Sequence, residues 1–288
     1  MSTIIRTEQL SHIYSQGTVF EQAAIRNVNL NIEKGEFVGV IGHTGSGKST
    51  LIQHLNGLLR PTSGKVYIGG EDIWAKPKEI RRFRFQVGLV FQYPEYQLFE
   101  DTVYKDISFG PRNMGLGEDE IDRRVRQAAA FVELKEATLQ KSPFELSGGQ
   151  KRRVAIAGVI AMSPDVLILD EPTAGLDPRG RDRILGEIKE YHQQQKATVL
   201  LVSHSMEDIA KYASKVLVMN QAQVFLYDTV EAVFSRGLEM EQMGLNIPQI
   251  TRICRQLAER GIPISPQTYT VESAKDQILG ILQKGGVK

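Results

Sequence analysis

The sequence predicts an α/β fold built on a mainly parallel sheet with helices in the connections. Short apolar runs at Glu36–Ile41, Val166–Leu169 and Thr198–Val202 mark strands buried on both faces. Stretches with helical spacing lie between them, and such alternation is the pattern of parallel sheets with crossover helices. A glycine-rich turn follows the first run directly.

Taken in order, Thr3–Leu10 and Ala24–Ile32 alternate roughly and read as strands, with Ser15–Gln22 a loop between them. After Glu36–Ile41 and the turn, Leu51, Ile52, Leu55, Leu58 and Leu59 repeat at helical spacing up to Pro61. Strand signals return at Lys65–Ile68 and Val87–Phe91, and residues 95–163 look mainly helical. Within them Asp119–Glu133 carries an apolar stripe at Ile121, Val125, Ala128, Ala129 and Val132. Arg179–Gln195 reads as a helix, and Val216–Met219 with Gln223–Tyr227 as a closing hairpin. Beyond residue 230 come two amphipathic helices, Pro248–Arg260 and Val271–Lys284, joined through Gly261, Pro263 and Pro266. They form a small appended helical unit.

The chain has 288 residues, with 35 Lys+Arg against 34 Asp+Glu, so no overall basic surplus draws it to nucleic acid, and only a local basic patch could. Its 41% apolar content separates it from disordered chains. A single cysteine, Cys254, excludes an internal disulfide and a CxxC zinc site and fits a small core residue. The longest uncharged apolar stretch, Val154–Met162, is too short to span a bilayer. The N-terminus lacks the basic-then-apolar pattern of a signal peptide. A place in the cytoplasm is expected.

Gly42-His43-Thr44-Gly45-Ser46-Gly47-Lys48-Ser49 fits G-x-x-x-x-G-K-[ST] between a buried strand and an amphipathic helix. Glycines let backbone N–H groups wrap a phosphate, and the helix N-terminus adds positive potential. Lys48 supplies a charge for the β- and γ-phosphates, and the Ser49 hydroxyl can ligate Mg²⁺. Val166–Leu169 ends in Asp170 and Glu171, at the strand end where open α/β sheets place ligands. Asp170 would hold Mg²⁺ and Glu171 would polarise the attacking water. Ser147-Gly148-Gly149-Gln150 can cap a basic helix (Lys151, Arg152, Arg153) and offers a second anion site. Gln92 and His204 each follow a strand and could reach Mg²⁺ or the water, and the γ-phosphate. Asp177 follows in Ala174-Gly175-Leu176-Asp177. Taken singly, these residues read equally well as a strand-end polar group, a satisfied histidine and a helix cap.

These motifs, over residues 3–228, resemble in content and order the ATP-binding cassette (ABC) ATPases. The resemblance makes Gly42–Ser49 with Thr50 the Walker A loop, Gln92 the Q-loop and Leu146–Gln150 the signature. Val166–Glu171 becomes Walker B, Ala174–Asp177 the D-loop, His204 the switch histidine and Tyr14 the aromatic that stacks on adenine. It implies a P-loop NTPase with a RecA-like core, an antiparallel β subdomain and a helical subdomain over about 95–163. The cassette would span 1–229, and 230–288 would be a C-terminal helical extension that helps two ATPases dimerise. The run Phe91–Phe99, then Phe109-Gly110-Pro111, then Ser142–Gln150, looks like the energy-coupling-factor (ECF) transporter ATPases, and more like the second of their two subunits.

From this follow ATP and Mg²⁺ as ligands and a head-to-tail dimer with a second ATPase, more in keeping with a paralogue than with a second copy. A transmembrane scaffold, a small membrane substrate-binding subunit, a place on the cytoplasmic face of the membrane and no nucleic-acid partner follow too. The output would be uptake of a vitamin or transition metal. The acidic, aromatic segment Pro94–Tyr104, with Glu95, Glu100 and Asp101, would receive a basic side chain from the scaffold's coupling helix. The rivals are another importer or exporter cassette, a soluble nucleic-acid-linked ABC ATPase and a regulatory binding module. The Gln92–Phe99 run and the tail argue against the first. The single Walker A loop, and an interval from Lys48 to Ser147 too short for a long coiled coil, argue against the second. Intact Glu171 and His204 argue against the third.

Overall fold

A computed structural model describes residues 2–284. Strands β1 (Thr3–Tyr14) and β2 (Gln22–Glu33) pair antiparallel and run longer than their alternation suggests, because register shifts interrupt the period of two. Strand β3 (Phe37–Ile41) leads into helix α1 (Lys48–Leu55). That helix ends before Leu58 and Leu59: Gly57 takes φ 72° and turns the chain, leaving Leu58 exposed. Strands β4 (Ser63–Ile68) and β5 (Glu71–Asp72) complete a four-stranded sheet in the order β2-β1-β4-β5.

Helix α2 (Ile80–Gln86) precedes β6 (Val87–Val90), and α3 (Val103–Asn113), α4 (Glu118–Phe131) and α5 (Gly148–Ile160) follow. Then come β7 (Val166–Asp170), α6 (Pro178–Gln195), β8 (Thr198–Val202), α7 (Met206–Tyr212) and the hairpin β9 (Lys215–Asn220) with β10 (Gln223–Thr229). The second sheet has the order β10-β9-β3-β8-β7-β6, parallel except at β10.

The strand period of two sorts this sheet's residues onto two cores. Phe37, Ile41, Leu167, Leu169, Val199 and Leu201 face α3–α6. Val38, Val40, Val166, Ile168, Leu200 and Val202 face α1 and the antiparallel sheet. Burying each such side chain stabilises the fold by roughly 1.5–3 kcal/mol. With both faces covered, the loops at the strands' carboxyl ends are the free surface where a ligand can sit.

The tail holds the two expected helices and adds two more. Two short helices, α8 (Val230–Ser235) and α9 (Gly237–Gln242), precede α10 (Gln249–Glu259) and α11 (Val271–Lys284). Phe234, Met240, Leu245, Ile247 and Tyr269 belong to the same core as Phe37 and Leu201. Only Cys254, Ile264 and Ala274 form a separate small cluster, with Cys254 buried as expected. The start of the tail, α8 and α9, is thus rooted in the main core, while α10 and α11 pack on each other as the small helical unit expected. No described helix is long and apolar enough to cross a membrane.

Candidate nucleotide site

At the carboxyl ends of β3, β6, β7 and β8 lies a cleft of about 460 Å³. It is lined by Thr44, Gly45, Gly47, Lys48, Ser49 and Thr50 from the turn and α1, and by Gln92, Asp170, Glu171 and His204 from strand ends. Tyr14, Gln22 and Ala24 close one side. Three sequentially remote strand ends therefore deliver their polar residues to the glycine-rich turn.

The turn's shape requires glycine at two points. Gly47 sits at φ 104°, and a Cβ there would come within 2.5 Å of the Ala24 carbonyl oxygen. Gly42, at φ 155°, would place a Cβ 2.4 Å from the Met219 carbonyl oxygen. Lys48 donates from Nζ to the carbonyls of Gly42 (2.7 Å) and His43 (3.1 Å), which arches the loop over its own lysine. Burial pulls the Lys48 ammonium below its usual range, and the charges of Glu171 and Asp170 oppose that pull. Ser46 Oγ is buried under the loop without a partner.

The Ser49 hydroxyl donates to Asp170 Oδ2 over 3.4 Å. Burial, reinforced by the neighbouring Glu171 charge, raises the Asp170 carboxyl, while Ser49 and Lys48 pull it down. Glu171 is held at φ 50°, a costly conformation for a non-glycine residue and one that concentrates at functional sites. Its N–H donates to the Val202 carbonyl, and its Oε1 lies 2.7 Å from His204 Nε2. Hard oxygen donors from Ser49 and Asp170 form a set suited to Mg²⁺. No described group of three or more His, Cys, Asp or Glu gathers into an all-protein metal cage. A cation here would share its coordination with phosphate oxygens and water.

Tyr14 reaches this cleft despite the long loop after it. Its hydroxyl lies 3.4 Å from Thr50 Oγ1, and its ring meets the His12 ring edge-on at 4.5 Å. His12 in turn contacts His54, Nδ1 to Nε2 at 3.2 Å, and His54 Nδ1 bonds the Thr50 carbonyl at 2.7 Å. Burial pushes the His54 imidazole down to about 4. Neutral His54 must use Nδ1–H toward the carbonyl, so its Nε2 accepts and His12 Nδ1–H donates. Sequence reading missed this pair, since His54 lies among the apolar residues of α1 and gives no separate signal.

The remaining residues lie outside the lining. Ser147 caps α5, where its side chain and that of Gln150 form a capping box, and Gly148 and Gly149 open the helix. Their Cβ positions face open space. Asp177 caps α6, accepting from Gly180 N–H at 2.6 Å. Arg181, four residues on, donates to Asp208 at 2.7 Å and ties α6 to the helix that follows His204.

The acidic segment differs from its sequence reading. Glu95 is not free to receive an external cation, because Arg152 from α5 binds both its carboxylate oxygens (2.7 and 3.0 Å). Asp101 pairs with Lys105 at 2.9 Å. Glu100 has no side-chain partner among the described residues, and just beyond the segment Asp106 on α3 is a buried acid left short of one. Its Oδ1 accepts from the Phe99 and Glu100 amides, and its Oδ2 is buried without one. Asp106 lines a groove of about 330 Å³ with Leu98, Phe99, Phe109, Val159 and Met162.

A six-stranded sheet carrying a phosphate loop, beside an antiparallel sheet and a helical layer, defines the nucleotide-binding unit of ABC ATPases. The ABC transporter family model matches residues 25–174, and the chain belongs to that family. The ATP-binding protein EcfA2 of the energy-coupling factor transporter from Caldanaerobacter subterraneus is 55% identical, over 97% of this chain and 98% of the relative. EcfA2 of Clostridioides difficile is 52% identical over the full length of both. Within the family the chain is thus an ATP-binding subunit of the energy-coupling factor transporters, an ATP-hydrolysing part of a translocase. Among solved structures, cbiO1 from Clostridium perfringens, part of the transporter complex cbiONQ, matches with TM-score 0.74 and 40% identity, over 87% of this chain and 98% of that one. A dimeric ATP-binding cassette, MJ0796 bound to ADP and Pi, matches with TM-score 0.70 and 28% identity, over 79% and 99%.

Proposed function

We propose that the chain works on the cytoplasmic face of the membrane, in a head-to-tail dimer with a paralogous ATPase subunit, and drives uptake of a vitamin or transition metal. The observation that carries this reading is the composition of the cleft. It gathers Lys48, Ser49, Gln92, Asp170, Glu171 and His204, but none of Ser147–Gln150. One chain therefore offers half a site, and a second subunit's signature would complete it.

Lys48 and the turn's N–H groups hold the β- and γ-phosphates, and Tyr14 stacks on adenine. Ser49 and Asp170, with Gln92, would hold Mg²⁺, which supplies charge neutralisation on the phosphates. Glu171 orients and deprotonates the attacking water, and His204 stabilises the γ-phosphate as charge builds on it. Ser147, Gly148, Gly149 and Gln150 face the partner's nucleotide, with the α5 N-terminus adding N–H donors. Asp177 sits at the same junction. ATP contacts both subunits and ADP does not, which is the differential affinity that closure needs. Residues 1–229 act as the cassette, with 95–163 as its helical subdomain, and 230–288 support dimerisation.

The scaffold's coupling helix would dock in the groove around Phe99 and Phe109 and set a basic side chain on Asp106. A small membrane subunit would bring the substrate. The test is the reconstituted complex in vesicles. Asp106→Lys should abolish copurification of the scaffold and ATP-driven uptake, while hydrolysis by the two ATPase subunits stays within about twofold. Normal copurification and uptake by this variant would sink the docking assignment.

A further inference from the structure

Arg152 is the buried member of the basic run Lys151–Arg153 on α5, with its side chain 3% exposed. Nε and Nη2 donate to Glu95, just beyond Gln92. Nη1 donates to the Ala174 carbonyl at 2.7 Å and the Pro172 carbonyl at 3.2 Å, on the path from Glu171 to Asp177. One planar cation thus joins three segments: the helix that Ser147 caps, the turn after Gln92 and the backbone after Glu171.

Two observations separate this from an ordinary ion pair. A buried pair gains little net stability, because desolvation offsets attraction, so stability alone is a weak reason for its presence. Moreover, both segments that Arg152 grips leave left-handed residues that precede proline. Tyr93 stands at φ 54° before Pro94, and Glu171 at φ 50° before Pro172. Non-glycine residues hold such conformations only where their surroundings fix them. The guanidinium's fixed fork of donors fixes both at once, which a lysine ammonium cannot do.

We propose that Arg152 is a positioning residue that makes the Gln92 segment, the signature helix and the backbone after Glu171 move as one body. It rests on the transport reading for its output, since the Gln92 segment borders the groove proposed for the scaffold. A shift there would then reach Glu171 and Asp177 through one side chain.

The test uses the full transporter in vesicles with Arg152→Gln, Arg152→Lys and Glu95→Gln. Expected is a fall in kcat of about tenfold and in substrate transported per ATP of at least fivefold, with the KM for ATP within twofold. Scaffold copurification should persist, which separates this proposal from the docking assignment. Arg152→Lys should fail to rescue, because one ammonium cannot span Glu95 and both carbonyls. Glu95→Gln leaves Arg152 in place and so reads the linkage even where Arg152→Gln folds poorly. Wild-type kcat and transport ratio in Glu95→Gln, or full rescue by Arg152→Lys, would overturn it. So would a loss of activity that vanishes when rates are expressed per folded molecule. Should the wild-type complex show no ATP-driven uptake, the transport reading fails, and the kcat-against-KM split still judges Arg152.

Discussion

His54 is closed off from solvent with Nδ1 committed to the Thr50 carbonyl, so the folded protein binds no proton there until pH falls to about 4. The unfolded chain takes one up near pH 6.5. Folded stability is therefore complete above about pH 6.5 and is lost as pH falls through that window. Between pH 7 and pH 5 the loss is about 2 kcal/mol. Urea midpoints of the wild type and His54→Gln should converge as pH falls, and parallel titrations would refute the assignment. Glu171 allows a kinetic test. Glu171→Gln should bind ATP normally, slow hydrolysis by about 10²–10⁴-fold and trap the closed dimer in ATP. Near wild-type turnover would mean that another group activates the water.

At the scale of elements, the β9–β10 turn is built from Gln221 and Ala222, both at positive φ (46° and 65°). That geometry favours Asn-Gly. Replacing the pair accordingly should stabilise the protein by about 1 kcal/mol, read from thermal or urea unfolding. Helix α8 makes the opposite point. Phe234 lies beyond the cassette motifs yet is fully buried, so Phe234→Ala should cost about 3–5 kcal/mol. A cost below 1 kcal/mol would show the tail to be an independent unit. The glycine turn, the apolar strands and the strand-end acids were legible because their patterns are local. Helices α8 and α9 were not, since each is too short to show a helical period. Arg152 was hidden for another reason. In sequence it is one of three basic residues, and only the packing of α5 against Glu95 and Pro172 tells it from its half-buried neighbours.

On the proposed reading the whole molecule holds half of each catalytic site, so hydrolysis per chain should rise at least tenfold on adding the second ATPase subunit. A rate independent of that subunit would contradict the shared-site reading. The order of the six-stranded sheet carries one more consequence. Strand β3, which launches the phosphate loop, is flanked by β8 and β9, both supplied by the last third of the chain. Pairing between such distant segments is slow. A chain growing on the ribosome exposes the loop's sequence early yet cannot seat it until Asn220 has emerged. Nascent β3 meanwhile offers two unpaired, apolar edges, the kind of surface that aggregates or is guarded by chaperones. ATP competence is thus among the last properties this polypeptide acquires, and a chain truncated before β9 would be an aggregation hazard rather than a weak ATPase.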